Sequence, residues 1–432
     1  MDEHVDIDAV LKNFGDTNDY DLCNQLESNA DENELCLFQP SPYYMAHCLP
    51  KYLNTSEMNF NVLSVNIQSI LAKIDSLRSY IEIFSAQEIF FDAICIQESW
   101  LTDSIGNSNL YIDGYKCFAQ GRHCSTRGGL IIYVKDNYSV KELTNFSIKT
   151  DVCEAYFLEI SNGPLKSPIL LGNIYKPPKS NNNNNNINTF MTDLDPFFRD
   201  ICKGYEHILL AGDFNINLLD INTREVYGEF FDKMIGNSLF PKITLPTRIS
   251  NTSCTLIDNI FCKLSNSSLK YRAGIIFSEL SDHFPYFVSI STDKKDPKKH
   301  KYIKQTTFNE DSKRSFYNEL ENNSTIHSLN RGICFNPDMN YNVFDDEMDK
   351  CKANNFPTKM VKFNKYKHKK SKWITNGILK SLKFRDRLYL ELKTLPINTT
   401  KYQEKQMNLK VYNKILKKIY SRCQKEIFRS TI

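Results

Sequence analysis

Eight side chains in this sequence have the types and spacing that hydrolysis of a phosphodiester needs. The stretch HILLAGDFNIN, residues 207 to 217, carries Asp213 and Asn215 at the close of an apolar run. If that run is a buried strand, alternation sets both side chains on one side of its C-terminal end, where open α/β sheets keep their sites. A carboxylate beside a carboxamide can hold and deprotonate a water while binding a phosphate oxygen. Other apolar runs close on Asn66, Glu98 and Tyr175, and Asp258 and the pair Asp282-His283 sit at two more strand ends. Mg²⁺ takes oxygen ligands, with one or two carboxylates completed by substrate phosphate and water. Glu98 with Asn66 beside it is therefore the expected metal pair, Asp282 a third candidate, and Mn²⁺ a cation able to substitute. An attacking water needs a base within hydrogen-bond reach, the role expected of Asp213. Charge developing on the phosphoryl oxygens needs donors already in place, which Asn215, His283 and Tyr175 can supply. Asp258 lies inside the apolar TLIDNIF, where a carboxylate wants a partner. It can orient His283 and favour its imidazolium form.

Those residues need strands to carry them. FNVLSVN reads as a first strand ending at Asn66, followed by SILAKIDSLRSYIEIF with Ile70, Ile74, Leu77, Ile81 and Phe84 on one helix face. FFDAICIQES, LIIYV, EAYFLEI and SPILLGNIY read as strands, the last stopped by Pro177-Pro178. NTFMTDLDPFFRDI and REVYGEFFDKMIGNSL are expected helices on either side of the central strand, and TLIDNIF and FPYFVSI the last two strands. Strands outnumber helices and several are consecutive, which predicts an α/β fold of two packed sheets with helices outside.

Charge divides the chain. Residues 1–50 carry eleven acidic groups against one Lys, while residues 291–432 carry 32 Lys plus Arg against 15 acidic groups. The sequence accordingly reads as an acidic, largely disordered segment 1–57, a catalytic-type domain 58–291, a partly helical linker 292–358 and a basic helical region 359–432. In the last region Val411, Ile415, Ile419 and Cys423 recur four apart, which predicts a packed helical pair. Tyr366, Trp373, Phe384 and Tyr389 interleaved with its cations suit contact with DNA or RNA phosphates. Phe344-Asp345-Asp346 reads as part of an acidic helix. The thirteen cysteines are scattered with no C-x2-C pair, so neither zinc nor a disulfide framework is expected. With no signal peptide and no 18-residue apolar run, the expectation is an intracellular protein of nucleus or cytoplasm, not secreted and not in a membrane.

The ordered series SVNIQS, IQESW, NIYKPP, GDFNIN, TLIDNIF and SDHFP resembles the endonuclease/exonuclease/phosphatase superfamily over roughly residues 60–290. Within it the wording is most similar to the endonuclease of jockey-like non-LTR retrotransposons. The resemblance implies a four-layer α/β/β/α sandwich of two mixed sheets and dependence on Mg²⁺. It implies nicking of double-stranded DNA to leave a 3′-hydroxyl that primes reverse transcription. It places Asn66 and Glu98 at the metal, Tyr175 on the phosphate side and Asp213 on the water, with Asn215 as the phosphate-binding neighbour. Asp258 and His283 are the paired carboxylate and histidine, and Asp282 is the acidic residue next to them. Gln68 and Lys176 stand where the family often has Arg, which bears on DNA grip more than on catalysis. KSKWITNGILKSLKFRDRLYLELK is similar to the connector that precedes a reverse transcriptase, yet the sequence ends at Ile432 with that polymerase absent. Element RNA is a second expected partner of the basic region. Two other readings stay open: a phosphatase of the same superfamily acting on inositol phosphates or phospholipid, and a catalytically idle nucleic-acid-binding fragment.

Overall fold

Two strand–helix–strand units set the architecture. The computed structural model describes all residues except 1–7, 13–16, 28–38, 54–56, 102–109, 122–127, 179–184, 251, 265–268, 296–301, 307, 331–336, 363–372, 397–398 and 432. Strand β2 (Glu57–Asn66) runs parallel to β3 (Ala93–Gln97), with the helix Ile70–Ala86 crossing between them. Likewise β9 (Ile169–Tyr175) runs parallel to β10 (His207–Asp213), linked through the helix Asn185–Asp193 and a π-turn at Phe197–Ile201. Parallel pairing brings the C-terminal ends of both strands to the same edge. Asn66 stands beside Gln97 in one sheet and Asp213 beside Tyr175 in the other.

The remaining strands are β1 (Tyr43–Met45), β4 (Tyr115–Gln120), β5 (Leu130–Lys135), β6 (Ser139–Glu142), β7 (Ile148–Lys149), β8 (Glu154–Ser161), β11 (Phe240–Pro241), β14 (Asp258–Leu264), β15 (Leu269–Phe277) and β16 (Tyr286–Lys295). The small hairpin of β12 (Arg248–Ile249) and β13 (Cys254–Thr255) stands apart. One sheet has the order β1-β15-β16-β2-β3-β5-β4, and the other β11-β14-β10-β9-β8-β6 with β7 also on β8. Antiparallel β14 starts where β10 ends, so Asp258 pairs with Asp213 across the ladder.

The sheets pack face to face. Phe60, Val62, Cys95, Ile132 and Val134 of the first sheet join Phe157, Leu171, Leu209 and Ile260 of the second in one buried cluster. The outer face of the first sheet, with Leu63, Val65, Ile94 and Ile96, is covered by Ile70, Ile74, Leu77, Ile81 and Phe84 of the helix. Phe190, Phe197, Phe230 and Met234 cover the second sheet. Both sheets are thus buried on both faces, which is why β3 and β10 are apolar without alternation. The result is the expected sandwich of two mixed sheets between helices, followed by a mostly helical region.

Polar side chains tie the two sheets together at the edge where the strands end. Gln97 Nε2 donates to Asn173 Oδ1 at 2.6 Å, and Asn173 Nδ2 reaches back to the carbonyls of Ile96 and Ile131 at 2.9 and 3.0 Å. Beside them Tyr286 donates its hydroxyl to the Gly212 carbonyl at 2.9 Å.

The acidic segment differs from its expectation. Val10, Leu11 and Leu22 join the main core, and β1 adds a parallel edge strand to β15. Tyr43 donates to the Pro246 carbonyl at 2.6 Å, and Leu22 N to the Thr244 carbonyl at 3.0 Å. The reason lies partly in Gly274, because a Cβ there would stand 2.3 Å from Tyr44 Cε2. Gly274→Ala is expected to cost about 1–3 kcal/mol, the usual penalty of overpacking, read as a lowered urea midpoint. An unchanged midpoint would mean that the Tyr44 ring moves aside freely.

The C-terminal half also departs from expectation in detail. Strands β17 (Tyr302–Thr306) and β18 (Thr358–Lys362) pair around the helices Glu310–Glu321, Ser324–Asn330 and Pro337–Asn355, the last containing Phe344-Asp345-Asp346. The helices Asn376–Lys393 and Thr400–Thr431 form the expected pair. They seat on the catalytic-type domain through Trp373, Ile374, Ile378 and Leu382 against Ile83 and Ala86. The long helix buries Leu409 and Leu416, whereas Val411, Ile415 and Ile419 are 53%, 49% and 39% exposed. Trp373 is buried and Tyr389 packs at a tilt on Phe277 with ring centroids 5.0 Å apart, so these two aromatics pack the domain, whereas Phe384 stands exposed. Tyr366 and most of the Lys-rich run at 362–372 lie outside the described residues, as does most of the Asn tract 181–186. No helix among the described residues is long and apolar enough to cross a membrane.

Candidate active site

The strand ends converge on a buried polar cluster. Asn66, wholly buried, donates its one amide nitrogen to Glu98 Oε1 at 2.9 Å and to Asp213 Oδ2 at 2.8 Å. It thereby joins a carboxylate from the first sheet to one from the second. Tyr175 donates its hydroxyl to Glu98 Oε1 at 3.1 Å, and Trp100 Nε1 donates to Glu98 Oε2 at 3.1 Å. Glu98 follows β3 with φ +50°, and Trp100 has φ +54°. A non-glycine residue held in the left-handed region costs roughly 1–3 kcal/mol and collects at functional sites. Here it turns Glu98 back toward the strand ends.

Asn215 has φ +47°, so it does not continue the alternation of β10. Its backbone N–H donates to Asp213 Oδ1 at 3.0 Å, and its side-chain amide to the Lys176 carbonyl at 2.8 Å. The turn still puts Asn215 beside Asp213, by an Asx-type bond rather than by pleat. Lys176 is fully buried, so its ammonium is no part of an exposed DNA grip. Gly212 precedes Asp213 because a Cβ there would meet the Ile174 carbonyl oxygen at 2.2 Å.

On the other side of Asp213, His283 Nδ1 lies 3.0 and 2.9 Å from the two oxygens of Asp258. Both oxygens can only accept, so Nδ1 carries the proton and Nε2 is left for another partner. Thr247 Oγ1 donates to Asp258 Oδ2 at 2.6 Å and fixes that carboxylate. Ligand atoms of Asp213, Asp258 and His283 all lie within 4.8 Å of one another. Asp282 points elsewhere. Its carboxylate is held by Arg248 at 2.9 and 3.1 Å, and no hydrogen bond joins it to Asn66 or Glu98 among the described residues.

Charge in this cluster is shaped by burial. Desolvation, and then the Asp258 carboxylate, push Asp213 up from the usual carboxylate range to about 7, against the pull of His283 and the Asn66 amide. Burial alone would discharge His283. The charge and hydrogen bond of Asp258, with Asp213 and Asp282, outweigh it and push the imidazole up to about 9. Burial and then Glu98 push Tyr175 well up, so its hydroxyl stays a donor.

The donors present fit a hard cation. Asn66 Oδ1 is buried with no hydrogen-bond partner among the described residues, a costly state for a carbonyl unless something else takes it up. Glu98 lies next to it, giving the all-oxygen set that Mg²⁺ favours. The structure thus gathers Asn66, Glu98, Tyr175, Asp213, Asn215, Asp258 and His283, and sets Asp282 at the rim. It adds Trp100 and Thr247, which hold Glu98 and Asp258, and the Gln97–Asn173 pair beneath. Trp100 lay within the motif IQESW, but Thr247 sits just before the two-residue strand β12, where no periodicity marks it.

The family model described as the endonuclease/exonuclease/phosphatase family matches residues 58–283. No curated protein matches the sequence. Similar solved structures include the endonuclease domain of TRAS1, a telomere-specific non-LTR retrotransposon, at 16% identity over 55% of this chain and 100% of that one, TM-score 0.41. The AP endonuclease LMAP from Leishmania major is 14% identical over 62% and 98%, TM-score 0.43. The 3′ phosphatase NExo from Neisseria is 15% identical over 54% and 100%, TM-score 0.40.

Proposed function

The chain belongs to the endonuclease/exonuclease/phosphatase family, and from that premise we propose that it nicks double-stranded DNA by cation-dependent hydrolysis. The observation that carries this reading is the single amide of Asn66. It bridges Glu98 and Asp213 while its own buried carbonyl has no partner.

In the proposed mechanism Asn66 and Glu98 would hold Mg²⁺, which when bound supplies Lewis-acid polarisation of a phosphoryl oxygen. Tyr175 and Trp100 keep the Glu98 carboxylate in place. Asp213 accepts the proton of the attacking water, and Asn215 binds a phosphate oxygen beside it. The imidazolium of His283 donates from Nε2 to the charge that develops on phosphorus, with Asp258 and Thr247 holding the ring. Asp282, paired with Arg248, acts at the rim through the field it adds to His283. The water oxygen bonds to phosphorus as the P–O3′ bond breaks, and the departing O3′ takes a proton from solvent, leaving a 3′-hydroxyl and a 5′-phosphate. The motif wording supports target-DNA nicking for retrotransposition over monoester hydrolysis, and so does the basic helical region seated on the domain.

The pH profile of kcat/KM is expected to be a bell. Activity rises as Asp213 loses its proton near 7, and falls as His283 loses its own near 9. A profile that rises monotonically to pH 10 would remove His283 as an acid-form donor.

The deciding experiment is nicking of supercoiled plasmid by the purified chain with Mg²⁺ and with EDTA, followed by polymerase extension of the ends. Metal-dependent nicks that extend support the proposal. A folded protein that leaves plasmid intact and releases phosphate from inositol phosphates would replace it with the phosphatase reading. One that binds DNA without cutting would replace it with the idle-fragment reading.

A further inference from the structure

A cavity of about 1050 Å³ lies between the helix Ile70–Ala86, the loop 278–282 and the two C-terminal helices. Its wall runs into the candidate active site, since Asp282 lines it and His283 is the next residue. The volume stands at the upper end of the roughly 300–1,000 Å³ typical of ligand pockets.

Its charges do not cancel. Each lining carboxylate already has a cation or donor: Asp75 has Arg78 at 3.0 Å, and Asp282 has Arg248 at 2.9 Å. Glu279 has Arg385 at 3.5 Å and Asn413 at 2.8 Å, and Asp386 pairs with Arg385. Lys73, Lys380, Lys383 and Lys417 line the same cavity and have no ion-pair partner among the described residues. Lys73 is half-buried, in the first turn of its helix, within electrostatic reach of Glu98, Asp282 and Lys417. Two further lining groups, His47 Nδ1 and the Tyr420 hydroxyl, are buried polar atoms with no hydrogen bond. Three exposed ammonium groups and the half-buried Lys73, beside these polar atoms, form a cationic wall suited to an anion with many acceptor oxygens.

We infer that this groove, half of it built by the C-terminal helices, binds the phosphate backbone of the nucleic acid flanking the bond that is cut. The inference rests on the nuclease reading above and extends it from the catalytic cluster to the basic region. The occupant is the substrate strand itself, because the groove meets the rim of the site at Asp282 and Lys73 lies within electrostatic reach of both Asp282 and Glu98. The helical pair is then a second wall of the substrate cleft.

The test compares binding of a long duplex (~30 base pairs) with that of a short one of about one helical turn (~10 base pairs). Fluorescence anisotropy in EDTA, with the full chain, reads binding whether or not hydrolysis occurs. The triple variant Lys380→Gln/Lys383→Gln/Lys417→Gln is set against Lys141→Gln/Lys166→Gln/Lys203→Gln, whose lysines are exposed and off the groove. The groove variant is expected to lose about tenfold or more of the long-over-short preference, and about one unit of salt slope per lysine. An unchanged preference and slope, or an equal loss in the control triple, would overturn the inference. No plasmid nicking by the wild-type chain, together with a long-over-short preference that the groove variant loses, would count against the nuclease reading and leave the groove standing.

Discussion

Asp213→Asn is expected to lower plasmid nicking by roughly 10²–10⁴-fold, the range that a positioned general base contributes, while the protein stays folded. The side chain keeps its volume, and its remaining oxygen can still accept from the Asn215 backbone N–H. Its new amide faces the Asn66 amide where a carboxylate oxygen used to accept, so no proton acceptor remains at the water position. Stability should move the other way at alkaline pH. Because Asp213 titrates near 7 in the fold and about 3.9 unfolded, the native state binds the extra proton between those values. The stability this provides is fully present below the unfolded value and is lost as pH rises through about 7. The Asn variant lacks that loss. Urea midpoints at pH 5 and pH 8 should therefore differ less in Asp213→Asn than in the wild type. Retention of nicking in the variant would remove Asp213 from the base role, whatever its stability.

His283→Ala carries the second large effect, and unlike Asp213→Asn it should injure both activity and fold. Removing one oriented donor to a developing oxyanion costs roughly 10²–10³ in turnover. Removing one partner of a buried charge pair costs on the order of 3–5 kcal/mol, since Asp258 is then left facing Asp213 with only Thr247 as a donor. The two losses separate in Asp258→Asn. That variant keeps the ring in place but drops the charge that pushes His283 up to about 9, so the alkaline limb of the pH profile should move down toward the ordinary histidine value. An alkaline limb that stays where it is would assign it to another group.

Much of this was legible in the sequence because the site is built on regular strands buried on both faces. An apolar run that stops at a polar residue is visible without alignment, and Asn66, Glu98, Tyr175, Asp213 and Asp258 each end or begin one. Less legible were residues whose position depends on a turn. Asn215 lies beside Asp213 through a left-handed turn and an Asx-type bond, and Thr247 reaches Asp258 from just before a two-residue strand. Strand β15 went unread because its first half alternates as a solvent-exposed edge and its second half breaks at Gly274. That glycine makes sense only with Tyr44, from a segment whose acidic composition reads as largely disordered. In the long C-terminal helix, spacing by four picked out Val411, Ile415 and Ile419. The helix instead buries Leu409 and Leu416 between them, since period alone does not say which of two apolar rows meets a neighbour.

The polar ties between the sheets also bear on when during synthesis the candidate site is assembled. Asn66 and Glu98 belong to one sheet and Asp213 and Asp258 to the other, and Gln97–Asn173 and Tyr286–Gly212 lock their docking at that edge. Neither sheet contains the whole site, and His283 is the last member to leave the ribosome. Contacts so far apart in sequence form late and slowly. On the mechanism proposed above, a nascent or partly folded chain is chemically silent, and hydrolysis is expected only once the whole sandwich has closed.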